Sequence, residues 1–302
     1  MKNGDTKTGA EDRCDERDEW INTLTEPAYP PPVYLFHRFR QCTARQEIVP
    51  KDPAAQKITI IKLKERNLEM LKKDLILRNP LRLMGHENEE IIPVGGFAAV
   101  LARHGVGKTA LIVQLALNTL IKNKKVLHVS LNDPVDKVNL WYREVFNCLA
   151  NQYNVKQVND LWEDTLPNRF IMTFKVEGFS VPKLEERLAD LTEQNIFKPD
   201  MLIVDGIPFD GTLKKPLTDL KEFAGRHNLQ VWFTVTTHRH QEPCEDGLPI
   251  QMDNISDLFD AIIQLQPEGN KIHINALKGS FSKDAPKMQI LDPSTMLIQN
   301  VK

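Results

Sequence analysis

The sequence predicts an α/β fold, a mainly parallel sheet with helices on both faces, followed by C-terminal β-hairpins. Three observations carry this expectation. Short apolar runs rich in Val, Ile and Phe alternate with longer helical patterns from Phe97 to Thr236. The first run leads through a glycine-containing turn straight into an apolar helical stretch. After Asp257 the pattern changes to short strands joined by tight turns.

Taken in order, residues 1–52 form a polar, proline-containing leader. Its first part holds the charge-dense run EDRCDERDE, which is expected to be disordered. Pro27, Pro30, Pro31 and Pro32 impose an extended segment. Val33 to Arg40 (VYLFHRFR) then mixes aromatic and basic residues, suited to docking on the chain's own core or to contacting a partner. Residues 53–84 form a linker helix region, with a helix from Ala54 to Leu77. Ile58, Ile61, Leu68, Leu71 and Leu75 fall near one face, and Asn79-Pro80 ends the helix.

Residues 85–302 form the main domain. Strands are expected at Phe97–Leu101, Val126–Leu131, Phe170–Phe174, Met201–Val204 and Val231–Thr236. Helices fall between them at Lys108–Lys122, about Val135–Tyr153, Val181–Thr192 and Leu217–His227. The first helix is apolar nearly all round, as suits one lying on a sheet. The second carries Val138, Trp141, Val145 and Leu149 on a stripe, and the third opens with Ser180 as N-cap before Pro182. Two hairpins close the chain, Ala261–Gln266 with Lys271–Leu277 and Met288–Leu291 with Met296–Gln299.

Composition bounds the function. The chain has 302 residues, 41% apolar and 26% charged, as in a water-soluble globular protein. A formal net charge of -2 argues against a protein built mainly to coat nucleic acid. Cys14, Cys42, Cys148 and Cys244 are scattered without metal-type pair spacing, which predicts reduced thiols and a cytoplasmic location. No apolar run approaches the roughly 18 residues that span a bilayer, and no secretion-type apolar core opens the chain.

The chemistry concentrates in Gly95–Ala116, GGFAAVLARHGVGKTALIVQLA. A strand, a loop ending Gly107-Lys108-Thr109 and an apolar helix suit a nucleoside triphosphate. Backbone amides from Arg103 through His104, Gly105, Val106 and Gly107 to Ala110 turn toward phosphates at the positive end of a helix. Lys108 reaches the outer phosphates, and the Thr109 hydroxyl ligates Mg²⁺. The first glycine of the pattern G-x-x-x-x-G-K-[ST] is replaced by Ala102, which is small enough to keep the backbone close. The run Met201-Leu202-Ile203-Val204-Asp205 ends an apolar strand in a carboxylate at the sheet edge where ligands of open α/β folds bind. Asp205 is expected to organise Mg²⁺. No guanine-reading Asn-Lys-x-Asp run follows it, which favours ATP.

With these parts in hand, residues 85–300 resemble the RecA-like P-loop ATPases, in the branch of KaiC, RadA and the replicative helicases. The resemblance implies a RecA-like P-loop NTPase core, Mg²⁺·ATP binding with slow ATPase activity, and a homo-oligomer, ring or filament. Members of the branch place a glutamate base after the second strand, where this chain reads Leu131-Asn132-Asp133-Pro134. Asn132 holds a water but cannot take its proton. Asp133 is the alternative, unless it starts the next helix. Thr236 and Thr237 match the region that senses the terminal phosphate, or simply suit a strand. Lys278 matches the basic position offered to a neighbour's site, although Lys278-Gly279-Ser280 lacks the branch's Lys-x-Arg, and a solvated surface lysine is the alternative. Two further function classes stand beside the ATPase, a non-hydrolytic nucleotide switch or scaffold, and a DNA translocase or recombination factor. Nucleic acid is not favoured, because the loop after Thr237 carries Glu242, Glu245, Asp246 and Asp253, while Phe209, Lys214 and Lys215 form only a modest group. His238, His240 and Cys244 match no standard zinc spacing.

Overall fold

Apolar strand residues alternate between two faces, and each face here finds helices to cover it. The computed structural model describes residues 53–79, 90–209, 212–238, 244, 247–279 and 289–300. The leader with its VYLFHRFR run, and most of the loop from Arg239 to Asp246, lie outside these residues. Among the described residues, six helices and nine strands alternate and then give way to consecutive strands. They are α1 Pro53–Arg78, β1 Phe97–Ala102, α2 Lys108–Ile121, β2 Val126–Ser130, α3 Val135–Gln152, α4 Val158–Thr165, β3 Arg169–Thr173, α5 Val181–Glu193, β4 Met201–Asp205, α6 Lys214–His227, β5 Gln230–Thr236, β6 Ala261–Glu268, β7 Lys271–Lys278, β8 Gln289–Leu291 and β9 Ile298–Asn300.

The strands form one mixed sheet in the order β3-β2-β4-β5-β1-β6-β7-β8-β9. The pairings from β3 across to β6 are parallel. Those from β6 onward are antiparallel. The expected hairpins are therefore not a separate appendage, since β6 lies directly beside β1 and β7–β9 extend the same sheet. The α/β class with a mostly parallel sheet flanked by helices is as the sequence predicts.

Alternation in β1 shows how the core divides. Ala98, Val100 and Ala102 face the layer that holds α2 and α3, with Leu111, Leu117, Val138 and Tyr142 buried there. Phe97, Ala99 and Leu101 face the α5 and α6 layer with Leu184, Leu188, Leu217 and Phe223. Helix α2 buries most of its circumference, in keeping with its apolar sequence. Helix α1 contributes Leu68, Leu71 and Leu75 to the first layer. Ile58 and Ile61, from the same expected stripe, are 54% and 48% exposed. The stripe is thus only half used. Ser180 precedes α5 as expected, yet its side chain makes no cap hydrogen bond.

The segment before β1 is tied to α2 by charge. Glu90 accepts hydrogen bonds from Lys124 at 2.7 Å and Lys122 at 3.4 Å. Burial pushes the Glu90 carboxyl up, but the two ammonium groups outweigh it and leave its pKa below the ordinary 4.5. A lowered carboxylate pKa stabilises the fold fully above the unfolded value, and that stability fades as pH falls through the folded one. Glu90→Gln is expected to lower stability by about 0.5–1 kcal/mol at neutral pH. Denaturant titrations of the two proteins should converge as the pH drops below 4.5.

Candidate functional site

The turn after β1 closes with the backbone its glycines permit. Gly105 and Gly107 have φ of 76° and 109°, in the left-handed region that side-chain-bearing residues rarely adopt. At Gly107 there is a second demand, because an added Cβ would lie 2.8 Å from Leu291 Cδ2 of β8. Gly107 precedes α2 and offers no side-chain cap, and the first turn of α2 holds no acidic residue. The positive end of a 14-residue helix therefore points into the turn without a protein carboxylate on its own first turn to offset it. The replaced first glycine, Ala102, is buried within the α2 layer, so its methyl adds to the core. His104 and Gly105 are exposed at the tip, Arg103, Val106, Lys108 and Thr109 are half-buried, and Ala110 is buried.

Lys108 folds back over this turn. Its amine donates to the carbonyl oxygens of Ala102 at 3.1 Å and Arg103 at 3.2 Å. Burial pushes its pKa below the ordinary 10.5, against the opposing pull of the Asp205 charge. The result is a half-desolvated cation held chiefly by neutral carbonyls.

Asp205 ends β4 on the same layer. The register pairs Ser130 with Asp205 and Val204 with Phe233, so Asp205 stands in a row between Ser130 of β2 and Thr234 of β5. The Thr234 hydroxyl donates to Asp205 Oδ1 at 2.5 Å and accepts from the Gly206 amide at 3.0 Å. Thr109 Oγ1 stands 3.5 Å from Asp205 Oδ2. His128 Nε2 lies 3.8 Å from the same oxygen. Burial pushes the Asp205 carboxyl up, but His128, Thr234 and the Lys108 charge outweigh it and hold the pKa below 3.8. Asp205 is therefore an anion at neutral pH.

The two candidates after β2 separate in space. Asn132 is exposed, and its side chain lies over the tip of β4, where a Cβ added at Gly206 would come within 2.8 Å of Asn132 Cγ. Asp133 instead pairs with Lys137 at 2.8 Å, one turn into α3, and its backbone exchanges hydrogen bonds with the Ser130 hydroxyl. The helix-starting role is the one its contacts fit. Thr236 is exposed and pairs in register with Ala102, beside the start of the turn. Lys278 lies where β7 meets the beginning of β6, with Ile262 as partner, away from the turn that follows β1. Its amine donates to the Ser256 carbonyl at 2.7 Å.

Other candidates fall away from this cluster. Phe209 is half-buried and packs at the edge of the core against Phe233 and Phe259, with ring centroids 5.9 Å and 6.4 Å apart. Lys214 and Lys215 are exposed at the start of α6. His238 is exposed and His240 lies outside the described residues. Among the described residues no group of three or more His, Cys, Asp or Glu side chains is placed to hold a metal, and no helix is long and apolar enough to cross a membrane.

Sequence reasoning missed Thr234, His128 and Gly206. The signal available for His128 was an imidazole in the middle of the otherwise strand-forming run Val126-Leu127-His128-Val129-Ser130. For Thr234 the signal lay in the neighbouring strand's register, which local sequence does not contain. No model of a known protein family matches this chain, and no curated protein sequence matches it significantly.

Proposed function

We propose that this chain is a Mg²⁺-dependent ATP-binding protein with slow ATPase activity, built on a RecA-like P-loop core and acting as a homo-oligomer. One observation supports this above the rest: an ammonium, a hydroxyl and an ionised carboxylate converge on a glycine turn at a helix N-terminus. Lys108 donates to two backbone carbonyls there, and Thr109 and Asp205 stand 3.5 Å apart.

The residues fit a hard divalent cation. Mg²⁺ prefers oxygen ligands and retains several waters, and the Thr109 hydroxyl and the Asp205 carboxylate are oxygen donors, the latter anionic by its surroundings. When bound, Mg²⁺ neutralises charge on the phosphate oxygens. The chain's own residues do the remaining work. Backbone amides from Gly105 to Ala110 and the Lys108 amine hold the polyphosphate. Thr234 keeps the Asp205 carboxylate oriented. Asn132, at the tip of β4, orients a water through its amide but cannot accept that water's proton. Thr236 lies beside the turn within the same sheet edge, where its hydroxyl can meet the terminal phosphate. Lys278 lies at the end of β7 beside the start of β6, away from its own chain's turn, which is compatible with a role at a neighbouring subunit's site.

The test is Mg²⁺-dependent phosphate release from ATP by the purified chain. Slow turnover that disappears in Lys108→Ala supports the ATPase. The amide in place of a carboxylate at Asn132 favours a second reading, a nucleotide-bound switch or scaffold, and release equal to that of Lys108→Ala would select it. No comparable observation among the described residues favours a DNA translocase, since Phe209 is half-buried against Phe233 and Phe259.

A further inference from the structure

The β2 run carries an imidazole where an apolar side chain would pack more cheaply. His128 is 0% exposed and lies on the α3 face of the sheet. Its Nδ1 is 3.2 Å from the hydroxyl of Tyr142, a residue of α3 that is also 0% exposed. Burial pushes the Tyr142 phenol well above its ordinary pKa, so its oxygen keeps its proton. If that proton is donated to Nδ1, the imidazole's own proton is left on Nε2. The phenol ring is held in turn by the Arg169 guanidinium, 4.4 Å from its centroid, which donates to Asn139 Oδ1 at 2.6 Å.

Nε2 is where this chain of contacts stops short. It is buried and has no hydrogen-bond partner among the described residues. The group it faces is Asp205 Oδ2, 3.8 Å away, beyond hydrogen-bond reach. A histidine that merely fills a core has both nitrogens satisfied, and an orphaned buried N–H is rare because nothing replaces its lost water. Asp205 Oδ1 is held closely by Thr234 at 2.5 Å, whereas Oδ2 has the long 3.5 Å contact from Thr109, so a closer donor on Oδ2 would fix the plane of the carboxylate.

We propose that His128 is a positioning residue for Asp205, its Nε2–H donating to Oδ2 when Mg²⁺ and nucleotide occupy the site. The inference rests on the nucleotide-binding reading above. Closing the 3.8 Å gap requires a small shift of the carboxylate or the imidazole when the site is occupied. Thr234 and His128 then each hold one carboxylate oxygen, leaving the remaining lone pairs for the side on which Thr109 stands. Tyr142 sets the tautomer that makes this donation available, and so links the site to α3.

The test has two readouts that simple packing would not move together. In ¹⁵N NMR of the nucleotide-free protein, His128 is expected as the Nε2–H tautomer, and Tyr142→Phe should erase that bias. In calorimetric Mg²⁺ titrations at fixed ATP, His128→Phe should raise the half-saturating Mg²⁺ about tenfold, the usual size for losing a partner of a metal ligand. ATP binding without Mg²⁺ should stay within about twofold, since the phosphate contacts are untouched. His128→Gln, whose amide nitrogen reaches the Nε2 position, should recover most of the loss. If His128→Phe fails to fold, Tyr142→Phe is the second variant, with a smaller loss of Mg²⁺ affinity expected. An Nδ1–H tautomer in the wild-type protein overturns the proposal. So does Mg²⁺ affinity unchanged in His128→Phe, equal losses with and without Mg²⁺, a Gln variant no better than Phe, or Tyr142→Phe like wild type in both readouts. Wild-type protein that binds no nucleotide overturns this inference together with the function proposed above; wild-type binding with an unaffected His128→Phe overturns this inference alone.

Discussion

Replacing Lys108 with alanine should lower ATP affinity by at least about 10²-fold while leaving the melting temperature of the nucleotide-free protein unchanged or slightly raised. The two halves of this expectation come from the same geometry. In the free protein the ammonium is half-desolvated and meets the carbonyls of Ala102 and Arg103, with burial pushing its pKa down. A phosphate would supply the charge-assisted partner it lacks, and such hydrogen bonds contribute about 1.5–3 kcal/mol each. Removing the side chain forfeits those bonds and relieves a desolvation cost in the apo state. The sign with pH follows from the lowered ammonium pKa. The apo protein bears the cost in full below the folded pKa, and it is relieved as pH rises toward the ordinary 10.5. Calorimetry and thermal melting on both proteins measure this. Wild-type ATP affinity in Lys108→Ala would remove Lys108 from the site.

Asn132→Glu is expected to accelerate phosphate release by on the order of 10²-fold, the lower end of what a general base contributes. Asn132 is exposed, so a carboxylate there is not buried and the fold should tolerate it. Its side chain already lies over Gly206, the residue that follows Asp205, so the added carboxylate would stand at the mouth of the site. Asp133→Asn should change turnover little, because the Asp133 carboxylate is engaged by Lys137 and its backbone by Ser130. Initial rates at saturating ATP and Mg²⁺ decide the matter. An Asn132→Glu rate equal to wild type would mean that the attacking water is positioned elsewhere.

The central parallel strands were legible because they are buried on both faces and read as mainly apolar runs, while the edge strand β3 is only half-buried. Met201–Val204 is buried at every position, and Val126–Ser130 likewise. Helix α2 was legible from its glycine turn and apolar surface together. Helix α4 was not. It has eight residues, Gln157 before it makes no side-chain cap, and Leu161 and Trp162 pack under Phe146 through contacts remote in sequence. Strand β9 begins at Ile298, two residues later than expected, because Asp292 gathers the intervening residues into a turn. Its carboxylate accepts from the amide and hydroxyl of Ser294, and Met296 is left with a φ of 58°. The exposed end of α1 shows the limit of periodicity, which gives the apolar face of a helix but not the extent of the surface it meets.

In the candidate site, the residues of one continuous motif were readable, as was Asp205 at the end of its apolar run, but the residues set beside Asp205 by register were not. Lys108, Thr109 and the turn glycines follow one another along the chain. Thr234 bonds Asp205, and His128 stands near it, because β5 and β2 flank β4, an adjacency that no local pattern contains.

Calorimetric titration of the wild-type chain with ATP and Mg²⁺, paired with thermal melting, bears on the central claim most directly. The convergence of Lys108, Thr109 and Asp205 predicts measurable heat and a melting temperature that climbs with ligand concentration, as binding to the native state alone requires. Absence of both heat and thermal shift with ATP, with GTP and with Mg²⁺ would contradict it.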